Sequence, residues 1–314
     1  MQRRNLLDLD ELEAGELRGL LDQAQRFGAS PPRRDLLRDI IVVNLFFEPS
    51  TRTYTSFAIA EHLVGADVIA LPPGSSSLGK GETIADTALT LAAMNVRVIV
   101  TRHPESGFPY RLAESFEGHV INAGDGCHAH PTQALLDLLT LRTEFGRVEG
   151  LRVALVGDIL HSRVARSNIL GLQALGAEVL LVGPPTLLPA SMERGRVKVL
   201  RSLDDVLPHV DAVMLLRIQR ERIAAAVLPE LDDYARNYRM DARRLELLAP
   251  HAIVMHPGPY NRGVELTEEV FDFRGWRYAQ QVAHGVSARM AVLDYVVNGL
   301  PVSPAPPRPE SILV

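Results

Sequence analysis

The chain has 314 residues, 46% hydrophobic and 23% charged, with a formal net charge of −5, values ordinary for soluble globular chains and roughly two domains' worth of sequence. That balance excludes a disordered or collagenous chain, and the lone cysteine, Cys127, excludes a disulfide framework and a thiolate metal cluster. The densest apolar run, Ile40 to Phe47, contains Asn44 and falls far short of the roughly 20 residues that cross a bilayer; with no apolar signal stretch near Met1, the expected address is cytoplasmic.

Leu6 to Phe27 carries leucines at positions 9, 12, 17, 20 and 21 and predicts an amphipathic helix. Ile40 to Phe47 predicts a strand buried on both faces, Glu48 to Thr51 a loop and helix cap, and Thr53 to Leu63 a helix. The unit repeats. Asp67–Leu71 reads as strand, Pro72–Gly81 as a polar loop, Glu82–Ala93 as helix, Val96–Thr101 as strand and Phe108–Phe116 as helix. Val120 and Ile121 form a short strand, Asn122–Gly126 a loop and Pro131–Phe145 a long helix.

A second cycle follows, with strands at Leu151–Val156, Glu178–Val182, Asp211–Leu216 and Ile253–Met255, and helices at His161–Leu175, Leu203–Leu207 and Val286–Asn298. Alternating apolar strands and helices imply an α/β chain of two doubly wound parallel-sheet domains linked by helices, with the C-terminal helix returning to the first domain. The expected boundaries are 1–134 plus 286–300 for one domain, 135–285 for the other, and a Pro-rich tail at 301–314.

Of 33 basic residues only Lys80 and Lys198 are lysines. Such a skew more often reflects genome composition or heat tolerance than function, but it singles out Lys80 in its glycine- and serine-rich loop. Acids are interspersed with the arginines, so no basic stripe for nucleic acid is visible. Ser50-Thr51-Arg52-Thr53 follows a strand and opens a helix, bringing free backbone N–H groups, hydroxyls and a guanidinium to the end of the helix that favours an anion. A Ser-Thr pair alone would be an ordinary cap; Arg52 in the first turn makes it a phosphate cradle.

Phe46 to Thr53, reading FFEPSTRT, resembles the carbamoyl-phosphate signature of the aspartate and ornithine carbamoyltransferases. Four further blocks match that family in order: Lys80-Gly81-Glu82-Thr83, Arg102-His103-Pro104, His130-Pro131-Thr132-Gln133 and Arg217-Ile218-Gln219-Arg220-Glu221-Arg222. The similarity spans essentially Leu6 to Leu300. It implies that Ser50, Thr51, Arg52, Thr53, Arg102, His130 and Gln133 hold carbamoyl phosphate, with the backbone of Pro257 and Gly258 accepting from its amide. It further implies Arg52, Thr53, Lys80, Arg102 and His130 as catalytic residues. These roles suit the chemistry: Arg102 can hold phosphate and carbonyl oxygen, His130 can donate to that oxygen as charge develops, and Gln133 can read the amide.

Aspartate presents two carboxylates, for which guanidinium forks are natural partners. Arg163, Arg217 and Gln219, with Lys80, are the expected aspartate ligands, and by resemblance Glu48 holds Arg163 and Arg222 in a closed arrangement. Met255 to Arg262 resembles the His-Pro-x-Pro loop of the aspartate-specific members; the Cys-Leu-Pro loop and Ser-Met-Gly motif of the ornithine enzymes do not occur. The resemblance therefore implies transfer of the carbamoyl group of carbamoyl phosphate to L-aspartate in pyrimidine biosynthesis, without cofactor or metal. It also implies a homotrimer with shared sites, Ser77 and Lys80 reaching a neighbouring subunit, and leaves open an association with dihydroorotase or a regulatory chain. Tyr54 and Ala58 depart from the family pattern, standing where an Arg and a Glu are usual; one turn apart, they read as an ion pair lost as a unit. A non-catalytic homologue is disfavoured because the polar positions are filled. A nicotinamide-dependent dehydrogenase is rejected because Gly157-Asp158 lacks the G-x-G-x-x-G spacing.

Overall fold

The computed structural model describes residues 3–71, 81–219 and 231–300. Ser77, Lys80, Arg220 to Arg222 and the Pro-rich tail lie outside the described residues. Four strands, β1 (Ile41–Phe46), β2 (Asp67–Leu71), β3 (Val96–His103) and β4 (His119–Asp125), form a first sheet in the order β2-β1-β3-β4. Five more, β5 (Arg152–Val156), β6 (Glu178–Val182), β7 (Val197–Leu200), β8 (Ala212–Leu215) and β9 (Ile253–Met255), form a second in the order β7-β6-β5-β8-β9. Every pairing is parallel. The intervening helices are α1 (Ala14–Ala29), α2 (Thr51–Val64), α3 (Ile84–Ala93), α4 (Phe108–Ser115), α5 (Pro131–Phe145), α6 (Arg163–Ala174), α7 (Leu231–Tyr238), α8 (Ala242–Leu247) and α9 (Tyr278–Asn298).

The strand order places the site. In each open sheet the chain winds first one way and then the other, leaving a crevice beyond the C-terminal ends of the two strands where it reverses. Those ends belong to β1 and β3 in the first sheet and to β5 and β8 in the second. The segments leaving them are Phe47–Thr53 and Arg102–Pro104 on one side, and Gly157–Arg163 and Leu216–Gln219 on the other.

The doubly wound architecture is as expected, and α9 does return to pack against α1, α2 and α5. One continuous apolar core runs from Leu6 and β1 through α5 and α9 to β5 and β6, joining the two sheets. Within it α6 approaches α5 so closely that a Cβ at Gly171 would sit 2.7 Å from Leu138.

Several expected boundaries move. The first helix begins at Ala14, where Glu13 and Glu16 form a capping box; Leu6 instead pairs alongside β4, its N–H donating to the Val120 carbonyl at 3.0 Å. Asn122 to Asp125 belong to β4 rather than to a loop, because Asn122 Nδ2 donates to the Leu7 carbonyl at 2.9 Å and to Asp125 Oδ1 at 2.8 Å, satisfying polar groups that sequence alone assigns to the surface. Leu203–Leu207 is not an α-helix; Pro208 permits only the 3₁₀ turn Leu207–His209. The last helix starts at Tyr278, not Val286.

Asn44, the polar residue inside the β1 run, donates through Nδ2 to Glu61 Oε2 of α2 at 2.7 Å. Burial pushes the fully enclosed Glu61 carboxyl up from 4.5 to about 7, with the Asn44 hydrogen bond opposing. The folded chain therefore keeps a proton that the unfolded chain releases above 4.5, so this site's contribution to stability is lost as pH rises through about 7. Glu61→Gln is expected to stabilise the protein at pH 8 by on the order of 3 kcal/mol and to leave it unchanged at pH 4, checked by urea denaturation at both values. A gain of equal size at both pH values would count against a proton held by Glu61.

Candidate active site

The two crevices open into one cavity of about 550 Å³. Its lining includes every expected site residue that the structure describes: Glu48, Ser50, Thr51, Arg52, Thr53, Arg102, His130, Gln133, Arg163, Arg217, Gln219, Pro257 and Gly258.

Phe47 is tied to β3 by its N–H donating to the Arg102 carbonyl at 2.8 Å, so the chain turns out of the sheet beside Arg102. Ser50 is the extended N-cap of α2, but its hydroxyl makes no capping bond, and the first turn contains no acidic residue. The N–H groups at that end thus keep their partial positive charge for an anion from outside. Ser56 Oγ donates to the Arg52 carbonyl at 2.5 Å and fastens the first turn from behind. Tyr54 packs edge-on against Phe46 and stays partly exposed, so the departure at that position leaves the cradle untouched.

Glu48 organises the guanidinium groups. Its Oε2 lies 2.9 Å from Arg163 NH2, as expected, and also 3.3 Å from Arg102 Nε, a contact that sequence reasoning did not foresee. Arg102 additionally donates to the Ala123 carbonyl at 3.2 Å and Arg163 to the Gly126 carbonyl at 3.2 Å. The two guanidiniums meet over Gly124, where φ is +117° and a Cβ would sit 3.2 Å from both. Only glycine combines that backbone conformation with such an approach.

His130 caps α5 and is almost fully buried; its N–H donates to Ser167 Oγ at 2.9 Å. Burial, then Arg102, Arg163 and Arg289, hold its pKa well below 6.5. His256 is also enclosed, and burial with Arg52 and Arg217 pushes it down to about 3. Its Nδ1 accepts from Gly258 N–H at 2.8 Å, which leaves the ring proton on Nε2. Both imidazoles are expected to remain neutral in the folded protein from pH 8 to pH 5, read from their ring nitrogen resonances by NMR. Because an unfolded imidazole takes up a proton near 6.5 and these do not, they contribute stability above that pH that is lost as the pH falls below it.

From the second sheet, Ser162 caps α6 by accepting from Ala165 N–H at 3.1 Å, which brings Arg163 into the first turn. Gln219 Nε2 donates to the His161 carbonyl at 3.2 Å, and Ile218 N–H donates to the buried carboxylate of Glu265 at 2.9 Å, so the Arg217–Gln219 strand end is anchored on both sides. Sequence reasoning missed Gln281 and Arg289 of α9, which also line the cavity. Their eight-residue spacing places them on one face of a helix, a signal hidden by the apolar residues around them. In all, five arginines and a single acid, Glu48, line the described part of the cavity. Such a site suits two anions at once: a phosphate at the α2 end and carboxylates at the Arg163 and Arg217 end.

Residues 4–143 match the family model described as aspartate/ornithine carbamoyltransferase, carbamoyl-P binding domain, and residues 149–296 match that of the Asp/Orn binding domain. The chain belongs to the aspartate/ornithine carbamoyltransferase family. Among its relatives in that family, the aspartate carbamoyltransferase catalytic subunit of Acidothermus cellulolyticus is 53% identical over 300 residues, covering 94% of this chain and 93% of the relative. That of Salinispora tropica is 50% identical over 303 residues, with 94% and 98% covered. The crystal structure of Trypanosoma cruzi aspartate transcarbamoylase in complex with carbamoyl phosphate and aspartate superposes with a TM-score of 0.84 at 31% identity, covering 93% of this chain and 96% of that one. The ornithine carbamoyltransferase of Thermus thermophilus superposes with the same TM-score, 0.84, at 27% identity and coverages of 94% and 99%. Backbone shape is therefore common to both branches of the carbamoyltransferase family.

Proposed function

We propose that the protein is an aspartate carbamoyltransferase, joining carbamoyl phosphate and L-aspartate to give N-carbamoyl-L-aspartate and phosphate, a reaction of pyrimidine biosynthesis. The observation that carries this reading is the convergence of the α2 N-terminus and Arg52 and Arg102 with Arg163 and Arg217 from the opposite sheet in one cavity. A second dianion fits there. The ammonium of ornithine would face guanidinium groups.

In this reading Ser50, Thr51, Arg52, Thr53 and Arg102 seat the phosphate. Arg102 and neutral His130 donate to the carbonyl oxygen, Gln133 and the carbonyls of Pro257 and Gly258 accept from the carbamoyl NH2, and Arg163, Arg217 and Gln219 hold the aspartate carboxylates. The uncharged aspartate amine attacks the carbonyl carbon and negative charge moves onto its oxygen. The carbon–oxygen bond to phosphate then breaks, and the departing phosphate takes the amine proton, so no side-chain base is required. Positioning and preorganised charge supply the rate.

Lys80 completes the donor clamp from a neighbouring subunit in the same proposal, and Arg222 joins Glu48 and Arg163 in domain closure. A homotrimer is part of the same reading, and exposed apolar side chains at the β2 edge, Val68 and Ile69, with Ile59 on the adjoining α2, offer a surface for a second subunit. The domains are taken as 1–134 with 286–300 and as 135–285, in a cytoplasmic enzyme, with dihydroorotase or a regulatory chain as candidate associates.

The test is formation of carbamoyl aspartate from L-aspartate against formation of citrulline from L-ornithine, with a phosphonate–aspartate bisubstrate mimic as competitor. Turnover with aspartate alone and tight binding of the mimic are expected. Binding of that mimic at micromolar strength or weaker would overturn the assignment.

A further inference from the structure

We infer that Asp137 is a positioning residue for recognition of the donor's amide: its buried carboxylate orients Gln133 and, through Gln281, the His256–Pro259 loop, so that their acceptors meet the carbamoyl NH2. The inference deepens the donor assignment proposed above and rests on it.

Asp137 lies on α5, one turn beyond Gln133, and is fully buried. Three side-chain amides converge on it. Gln133 Nε2 at 3.0 Å and Gln281 Nε2 at 2.8 Å donate to its Oδ1, and Asn168 Nδ2 at 2.8 Å donates to its Oδ2. An ionised carboxylate only accepts, so each amide must turn its NH2 inward and its oxygen outward. For Gln133, which lines the cavity, the outward group is Oε1, an acceptor available to a ligand. For Gln281 it is an Oε1 that accepts from His256 N–H at 2.9 Å and so pins the start of the loop carrying Pro257 and Gly258. One carboxylate thereby sets the acceptors that approach the amide from two different elements. Burial raises the Asp137 carboxyl to about 6, while the three amides and Arg289 oppose it, which keeps the acceptor form in place at neutral pH.

The amide is what separates carbamoyl phosphate from acetyl phosphate, which has the same phosphate and carbonyl but a methyl group in place of NH2. Asp137→Leu is close in size and offers no acceptor, so Gln133 and Gln281 both lose the group that fixes their orientation. Its expected result in calorimetric titration is a loss of about tenfold or more in affinity for carbamoyl phosphate, with affinity for acetyl phosphate held within about twofold of wild type. Parallel losses for both ligands, or no loss for either, would overturn the inference, because a merely structural role moves the two together. Gln281→Met keeps the carboxylate with Gln133 and Asn168 but releases the loop. A smaller loss in the same sense, again confined to carbamoyl phosphate, supports the inference, and a parallel loss overturns it. Wild-type protein that binds carbamoyl phosphate no more tightly than acetyl phosphate would instead overturn the donor assignment itself, and the inference with it.

Discussion

Arg52→Ala is expected to lower turnover by on the order of a hundred- to a thousandfold, the usual loss when one preorganised charge is removed from developing negative charge. Arg52 stands in the first turn of α2, where the helix end already favours an anion, and reaches across to the opposite loop: a Cβ on Gly258 would sit 3.0 Å from its Nε. It therefore bridges the proposed phosphate seat and the loop proposed to accept from the amide. The side chain lies at the cavity wall and takes no part in the apolar core, so stability should change by no more than about 0.5 kcal/mol. Steady-state kinetics beside a denaturant melt separate the two effects. Near-normal turnover would place the phosphate elsewhere. The variant should also relieve His256 of one of the two positive charges that depress its pKa.

Gly65→Ala is expected to have the largest effect on stability, about 3 kcal/mol or more. Gly65 ends α2 in the left-handed region at φ +81°, and a Cβ there would fall 1.9 Å from the Arg34 carbonyl oxygen. A rotamer change cannot relieve the clash, because both partners are backbone. The neighbouring Leu37 N–H donates to the Val64 carbonyl at 2.9 Å, so the loop holding Arg34 is also fastened to the end of the helix. Urea denaturation gives the measurement. A loss below about 1 kcal/mol, the least that a left-handed φ costs a residue with a Cβ, would mean that this loop yields.

Local chemistry decided what could be read from the sequence. The limits of α5 were legible to the residue because Pro131 opens the helix and Gly146, at φ +73°, closes it. The β1 run and the Ser50–Thr53 cap were equally clear, since an unbroken apolar stretch followed by hydroxyls has few other readings. The structure brings all the described residues expected at the site to one cavity, although they come from both sheets. β7 was not anticipated: Val197–Leu200 alternates with Lys198 and owes its strand form to pairing with β6. The amphipathic α7, with Asp232 and Asp233 in its first turn, was also overlooked between the acceptor motif and β9. The Asp137 network was invisible for a different reason. Asp137, Asn168, Gln281 and Arg289 look like surface residues one at a time, and only hydrogen bonding and charge, shared with Gln133, make their burial tolerable.

The position of α9 has a consequence for biogenesis. Residues from Met290 to Val297 fill the same core as β1, α1 and α2, although they are made more than two hundred residues later. A nascent chain leaving the ribosome cannot finish its N-terminal lobe when that lobe has been translated; the lobe must wait, incompletely covered, until α9 has emerged. The same segment brings Gln281 and Arg289 to the cavity, so completion of the core and assembly of the candidate site go together.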